Sequence, residues 1–341
     1  MITQNHPTQY WHLLGNGRVQ CDLCPQACKL NEGQRGVCFV RMREHDQIVL
    51  TTYGRSSGFA IDPIEKKPLN NFLPGSKSYS FGTAGCNLSC KFCQNWDISK
   101  AHEDDILNKR STPENIAKTA QANGCQTVAF TYNEPIISME YAIDVAKECH
   151  KLGLRTVAVT NGYICDEPRK EFFSYMDAAR VDLKSFTERF YKEIAGAHLQ
   201  PILDTLVYLK NYTRVWFEII CLLIPDENDS ASEIMDLTAW VKDNLGIDVP
   251  VHFTAFYPAW KMIDKPVTSI ETLIRARDIA MGDGLRYVYT GNVHHPEGNE
   301  TLCYNCKKCV IARVGYEIIE YHLDGAGNCK FCHTKCAGVF S

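Results

Sequence analysis

The chain of 341 residues has no long hydrophobic run. Its most apolar stretch, Val215 to Ile224, is short and interrupted by Glu218, far from the roughly 20 apolar residues that span a bilayer as a helix. No basic segment followed by an apolar one opens the sequence, so neither a secretory leader nor a membrane anchor is expected, and the expected location is the cytoplasm. Charge of one sign is also lacking. Thirty-six Lys and Arg against 40 Asp and Glu leave a formal charge of -4, too balanced for a protein that holds nucleic acid by phosphate neutralisation alone. Internal repeats and low-complexity tracts are missing, and 45% hydrophobic with 22% charged residues excludes wholesale disorder, collagen and a coiled coil. The length suits one large domain with small attachments, or two domains.

What the sequence does have is cysteine. Seventeen in a chain that reads as cytosolic, where disulfides are disfavoured, call for another explanation. Thirteen fall into tight groups: Cys21, Cys24, Cys28 and Cys38; Cys86, Cys90 and Cys93; Cys303, Cys306 and Cys309; Cys329, Cys332 and Cys336. Clustered thiols in a reducing compartment read as metal ligands or redox groups. The isolated Cys125, Cys149, Cys165 and Cys221 read as small buried hydrophobes.

Between residues 76 and 300, strand-like and helix-like segments alternate. Strands are expected at 78–82, 126–131, 154–160, 179–184, 214–223, 250–256 and 285–290, each rich in Val, Ile, Phe, Tyr or Thr. Thr112 followed by Pro113 marks a helix start, Gly153 marks the stop of a helix beginning near Pro135, and Ser230 to Glu233 and Thr268 to Glu271 have capping-box spacing. Repeated βα units imply an α/β fold with parallel strands, either an open doubly wound sheet or a complete or partial barrel. In both, chemistry sits at the carboxyl ends of strands. That rule selects residues 83–93, 132–135, 161–163, 182–184 and the segment around Pro225 as one rim. Residues 1–75 and 301–341 lack the alternation and read as separate Cys-rich, metal-bound modules.

In GTAGCNLSCKFCQNW, three cysteines at spacings of four and three follow the first of these strands. A cubane cluster normally takes four thiolates. A loop offering three leaves one iron open to a non-protein ligand, unless a distant cysteine such as Cys125 completes the site. Cys86, Cys90 and Cys93, with Phe92 before the last, match the CxxxCxΦC signature of radical S-adenosylmethionine (SAM) enzymes. Together with FTYNEP, VDLK, IPDENDS, YVYTGNV and the Cys-rich ends, the chain resembles the radical enzyme of the AmmeMemoRadiSam system, related to the glycyl-radical-enzyme (pyruvate formate-lyase) activating enzymes.

The resemblance implies a partial (β/α)6 TIM-like barrel. It also implies a 4Fe-4S cluster on Cys86, Cys90 and Cys93, SAM chelating the open iron, and reductive cleavage to a 5'-deoxyadenosyl radical that abstracts hydrogen from a substrate, here a protein or a metabolite. Glu134 in Thr131-Tyr132-Asn133-Glu134-Pro135 stands where the family's GGE-type motif meets the methionine amine, with Asn133 beside it; as an alternative, Glu134 caps the next helix. Asn161 is assigned to ribose or carboxylate, or to a turn with Gly162. Asp182 and Lys184 share one strand face, so Lys184 is expected at the cofactor carboxylate with Asp182 orienting it; the alternative is a structural ion pair. His252, on a later strand, joins the cofactor-binding candidates as an inward-facing residue, or is a core histidine.

At the carboxyl end, Cys303-x2-Cys306 and Cys329-x2-Cys332 are knuckles separated by 22 residues, close to zinc-ribbon spacing. Cys309 and Cys336 are surplus to such a ribbon, so an additional iron–sulfur centre competes with zinc. His294, His295, His322 and His333 are alternative ligands. The amino-terminal Cys21, Cys24, Cys28 and Cys38 suffice for one site, zinc or iron–sulfur, that staples a segment too small for its own core. Memo-type and AMMECR-type partners and a flavodoxin or ferredoxin as electron donor follow from the resemblance. A glycyl-radical-enzyme activase and a zinc-dependent protein-binding module without radical chemistry are the alternative functions.

Overall fold

The computed structural model of the chain describes residues 5–100, 107 and 109–341. Its centre is one eight-stranded sheet: β1 (Gly58–Pro63), β2 (Lys77–Gly82), β3 (Thr127–Phe130), β4 (Arg155–Thr160), β5 (Ala178–Asp182), β6 (Trp216–Leu223), β7 (Val251–Ala255) and β8 (Val288–Gly291). Every strand lies beside its neighbour in sequence, and all pairs are parallel except β1 with β2. This order never reverses, so the sheet has no doubly wound switch point, and right-handed crossovers then place the helices on one face. Six βα units lead from β2 to the final strand β8, with helices α1 (Pro113–Ala122), α2 (Met139–Lys151), α3 (Asp166–Ser174), α4 (Gln200–Tyr212), α5 (Ala231–Leu245) and α6 (Ile270–Gly282) as the longer crossovers. The fold is α/β with a parallel sheet, as the alternation of segments predicted.

The helix starts follow from local chemistry. Thr112 accepts from Asn115 N with Pro113 at the first helical position of α1, and Ser230 accepts from Glu233 N at α5. Two details differ from expectation. The start of α6 is capped by Ser269, because Thr268 is buried with its hydroxyl donating to Leu223 O. The Glu233 carboxylate, instead of closing a capping box, accepts from Ser185 Oγ and Phe186 N, tying α5 to the loop after β5.

Side chains alternate across the sheet. Val128, Phe130, Ala158, Ala179 and Val181 join the helices in the main core, whereas Ala129, Val157 and Ala178 on the other face pack on Ile64, Leu69, Phe72 and Leu73 from the β1–β2 connection. That connection fills the floor of the sheet's inner face. Residues 1–75 are therefore not wholly separate: β1 is an edge of the main sheet, and Val19, Leu23, Leu30, Val40 and Ile48 share the core of the helical layer. The carboxyl-terminal segment, with strands Thr301–Leu302, Cys309–Val314 and Glu317–Tyr321, keeps a small core of its own. It joins the floor through buried Arg313, which donates to Asn70 O at 2.7 Å, and through Asn71, which donates to Ala337 O at 2.8 Å. No helix among the described residues is long and apolar enough to cross a membrane.

Candidate active site

The carboxyl ends of the parallel strands open on a cavity of about 470 Å³. Cys86, Cys90 and Cys93 line it, with Glu134, Asn161, Asp182 and Lys184 around them, and Lys66, Lys67 and Arg180 at its other reaches. Cys90 is buried, while Cys86 and Cys93 are partly exposed. The loop that carries the three thiols is held by backbone geometry. At Gly82 a Cβ would come within 2.5 Å of Thr131 O, and at Gly85 (φ 85°) within 2.1 Å of Cys38 O, so both close approaches require glycine.

Asn133 lies in the cavity wall, but its side chain is committed to that loop. Its Oδ1 accepts from Thr83 N at 2.9 Å, and its Nδ2 donates to Thr83 Oγ1, Ala84 O and Gly85 O at 3.0 to 3.1 Å. With its amide committed in this way, it positions the cysteines instead of reaching a cofactor, which corrects the role expected for it. Tyr132, just before, has φ 71°, a costly left-handed backbone for a bulky residue, and this turn aims Asn133 and Glu134 at the rim.

Glu134 is 3% exposed. Its Oε1 accepts from Thr160 Oγ1 at 2.6 Å and Ile136 N at 3.1 Å, and its Oε2 accepts from Asn161 N at 2.7 Å. The bond to Ile136 is local, to the first N–H of the short turn at Ile136–Ser138 that precedes α2, whose own cap positions carry no side-chain bond; the others link the ends of β3 and β4. Burial pushes its pKa up to about 7, against the pull of the Asn161 N–H and the Thr160 hydroxyl. A cationic ligand in the cavity would favour the ionised form.

Asn161 takes the turn part and also reaches the cysteine loop. Its Oδ1 accepts from Tyr163 N at 2.8 Å, a turn role, and its Nδ2 donates to Asn87 Oδ1 at 2.9 Å, with Cys86 Sγ at 3.9 Å. Asp182 receives Lys184 Nζ at 2.7 Å and pairs with Arg180 at 2.5 Å. Burial raises the Asp182 pKa, but the two cations outweigh it and hold the carboxyl below its ordinary value. Lys184 Nζ also stands 5.8 Å from the centre of the Phe92 ring, inside the cysteine loop. Asn228, in IPDENDS, donates to Lys184 O at 2.6 Å and fixes that strand end.

His252 is elsewhere. It does not line the cavity; its Nε2 lies 2.7 Å from Glu218 Oε2, and its ring stacks on Tyr289 at 4.9 Å. Glu218 also accepts from Asn70 N and Asn71 N, at 3.0 and 2.8 Å. The pair anchors the floor plug, so His252 is a core histidine, not a cofactor ligand. Conversely, Asn87 and Arg180 escaped the sequence reading. Arg180 was within reach, since it continues the i, i+2 series of Asp182 and Lys184; Asn87 carried no signal, because its partners Asn161 and Tyr163 are distant in sequence.

At the carboxyl end the Sγ atoms of Cys303, Cys306, Cys329 and Cys332 all lie within 4.8 Å of one another. Cys303 to Cys332 is 3.5 Å and Cys306 to Cys329 is 3.8 Å. A tetrahedral zinc with bonds of about 2.3 Å sets its sulfurs about 3.8 Å apart, so the four can hold such an ion. Cys309 and Cys336 stand outside this set, Cys336 fully buried. None of the four candidate histidines belongs to it: His322 pairs with Glu320, and His295 with Thr290. Cys21, Cys24, Cys28 and Cys38 surround a separate enclosed cavity.

The profile of the radical SAM superfamily matches residues 81–238, which contain the cysteine loop and the rim residues just described. The chain belongs to the radical SAM superfamily. An uncharacterized protein of Methanocaldococcus jannaschii is 37% identical over 96% of this chain and 97% of its own length. The pyruvate formate-lyase 1-activating enzyme of Escherichia coli is 26% identical over 48% of this chain and 69% of that enzyme. Among solved structures, Streptococcus suis SuiB bound to S-adenosylmethionine shares the fold at a TM-score of 0.51 with 16% identity, over 68% of this chain and 53% of SuiB. Membership makes the radical SAM protein an enzyme and implies a 4Fe-4S cluster and SAM.

Proposed function

We propose that this radical SAM enzyme carries its cluster on Cys86, Cys90 and Cys93 and abstracts hydrogen from a protein segment presented at the strand ends. One observation carries the reading: three thiols, not four, face a cavity that also holds a buried carboxylate and a lysine. That donor set fits a cluster with one iron left for SAM. When bound, the cluster and SAM supply reductive cleavage and a hydrogen-abstracting adenosyl radical. The chain's own residues hold and orient. Glu134, ionised beside a cation, takes the methionine amine; Lys184, aligned by Asp182 and Asn228, takes its carboxylate; Asn133 and Asn161 fix the cysteine loop. The walls of the cavity keep competing quenchers from the site.

Similarity to activating enzymes supports a protein substrate, and the motifs shared with the AmmeMemoRadiSam system make Memo-type and AMMECR-type proteins its partners, with flavodoxin or ferredoxin as electron donor. Zinc on Cys303, Cys306, Cys329 and Cys332 is structural. The test is to incubate the reduced enzyme with SAM and deuterated partners and measure label in 5'-deoxyadenosine by mass spectrometry. Label from a Memo-type partner supports this reading, and a glycyl radical on a different protein supports an activase. Label from a free metabolite alone rejects a protein substrate. Binding to partners with no SAM cleavage under reduction leaves a zinc-dependent binding module.

A further inference from the structure

The amino-terminal thiols form a third set whose geometry differs from that of the carboxyl-terminal four. A strand ending in Cys21, a turn closed by Ala27 N to Cys24 O at 3.1 Å and another closed by Phe39 N to Gly36 O at 2.9 Å bring Cys21, Cys24, Cys28 and Cys38 around one cavity walled by Leu23, Leu30 and Ile137. Ala27 and Phe39 hold left-handed backbone, at φ 44° and 68°. No three of the four sulfurs come within 4.8 Å of one another, the separation that all four carboxyl-terminal sulfurs meet. One zinc, with sulfurs about 3.8 Å apart, is too small for this set. The three sulfurs of the 86–93 loop likewise do not all lie within 4.8 Å of one another.

A second observation points into the same cavity. Arg41 is 1% exposed and lines it. Its Nε donates to Ile137 O at 3.0 Å and its Nη2 pairs with Glu140 at 2.5 Å, but Nη1 has no partner. A buried guanidinium nitrogen without an acceptor requires one. The rest of the wall is apolar or thiol, so an anionic group bound among the four sulfurs would supply the missing acceptor.

We propose that Cys21, Cys24, Cys28 and Cys38 ligate a second 4Fe-4S cluster, with Arg41 Nη1 donating to one of its sulfurs. Four protein thiolates leave no iron open, so this cluster does not bind SAM. It is packed against the loop of the first: Cys38 O is the atom that excludes any side chain at Gly85, and the Gln26 amide donates to Asn87 O at 2.9 Å.

The full-length triple variant Cys86→Ala/Cys90→Ala/Cys93→Ala, reconstituted anaerobically, isolates the second site. About eight irons and sulfides per chain are expected in the unaltered protein and about four in the variant, four per cluster. The remaining Mössbauer and electron paramagnetic resonance signature should be that of a 4Fe-4S cluster unmoved by SAM. Cys28→Ser in the triple background removes it. Arg41→Met in that background keeps the iron but lowers the reduction midpoint, because a cation that stabilises the added electron is gone. A triple variant with no iron and two zinc ions per chain overturns the proposal. Should the unaltered protein lack a SAM-sensitive cluster while the triple variant keeps its iron, the radical reading fails and this one stands.

Discussion

The carboxyl-terminal cysteines and those of the 86–93 loop have similar local spacing and opposite surroundings. Cys303, Cys306, Cys329 and Cys332 converge on a small separate core, with their sulfurs all within 4.8 Å of one another. Cys86, Cys90 and Cys93 stay apart and face a cavity. A closed donor set stabilises a fold, whereas an incomplete one leaves coordination for a ligand. The same contrast separates two buried glutamates. Glu218, on the floor, is held by His252, Asn70 and Asn71 and serves only packing, while Glu134, on the rim, faces the cavity with its pKa raised to about 7.

Removing the open set should have the largest effect. The Cys86, Cys90 and Cys93 triple alanine variant should cut 5'-deoxyadenosine formation to background while the far-ultraviolet circular dichroism is unchanged; retained turnover would erase the distinction between the two sets. Cys329→Ser, in the closed set, should instead lose zinc by elemental analysis and about 4 kcal/mol of stability, the linkage expected for zinc about a thousandfold above its dissociation constant. Its SAM cleavage at low temperature should persist. A stable variant with lost cleavage would move the chemistry to the wrong site.

The glutamates sharpen the contrast through pH. With its folded pKa at about 7, above the ordinary 4.5, Glu134 binds its proton more tightly in the folded protein. Its contribution to stability without ligand is therefore full below pH 4.5 and is lost as pH rises towards 7. SAM, whose amine favours the carboxylate, should bind about tenfold more tightly per unit as pH rises below 7, with a plateau above it. Glu134→Gln should flatten both profiles and weaken SAM roughly 10- to 100-fold by calorimetry, about 1.4 to 2.7 kcal/mol. The smallest effect on ligand binding is expected from His252→Phe: about 1 to 3 kcal/mol of stability for the stranded Glu218, measured by denaturant, with SAM affinity unchanged. A weaker SAM affinity there would return His252 to the cofactor site.

Much of this architecture was legible because the residues that make it act locally. Runs such as Arg155–Thr160 and Val251–Ala255 are rich in β-branched and aromatic residues, and all seven parallel strands lie where such runs predict them. β1 was not, because GFAIDP begins with Gly and ends with Pro, and only its antiparallel partner makes it a strand. The Asp182–Lys184 pair was readable from a two-residue period, whereas Asn133 was misjudged because the atoms that claim its amide lie about fifty residues away.

The sequence by itself determined which cysteines act together, since ligands on one turn must be close in the chain, and it determined the alternation that builds a parallel sheet. Tertiary structure alone decided what each group can hold. Spacing along the chain does not fix the distance between sulfurs, and that distance separates a single ion from a cluster. It also decided which buried charges face a ligand and which face the protein: Glu134 and Glu218 are both carboxylates beside a strand, but one lies where the strands end on a cavity and the other where the β1–β2 connection fills the floor.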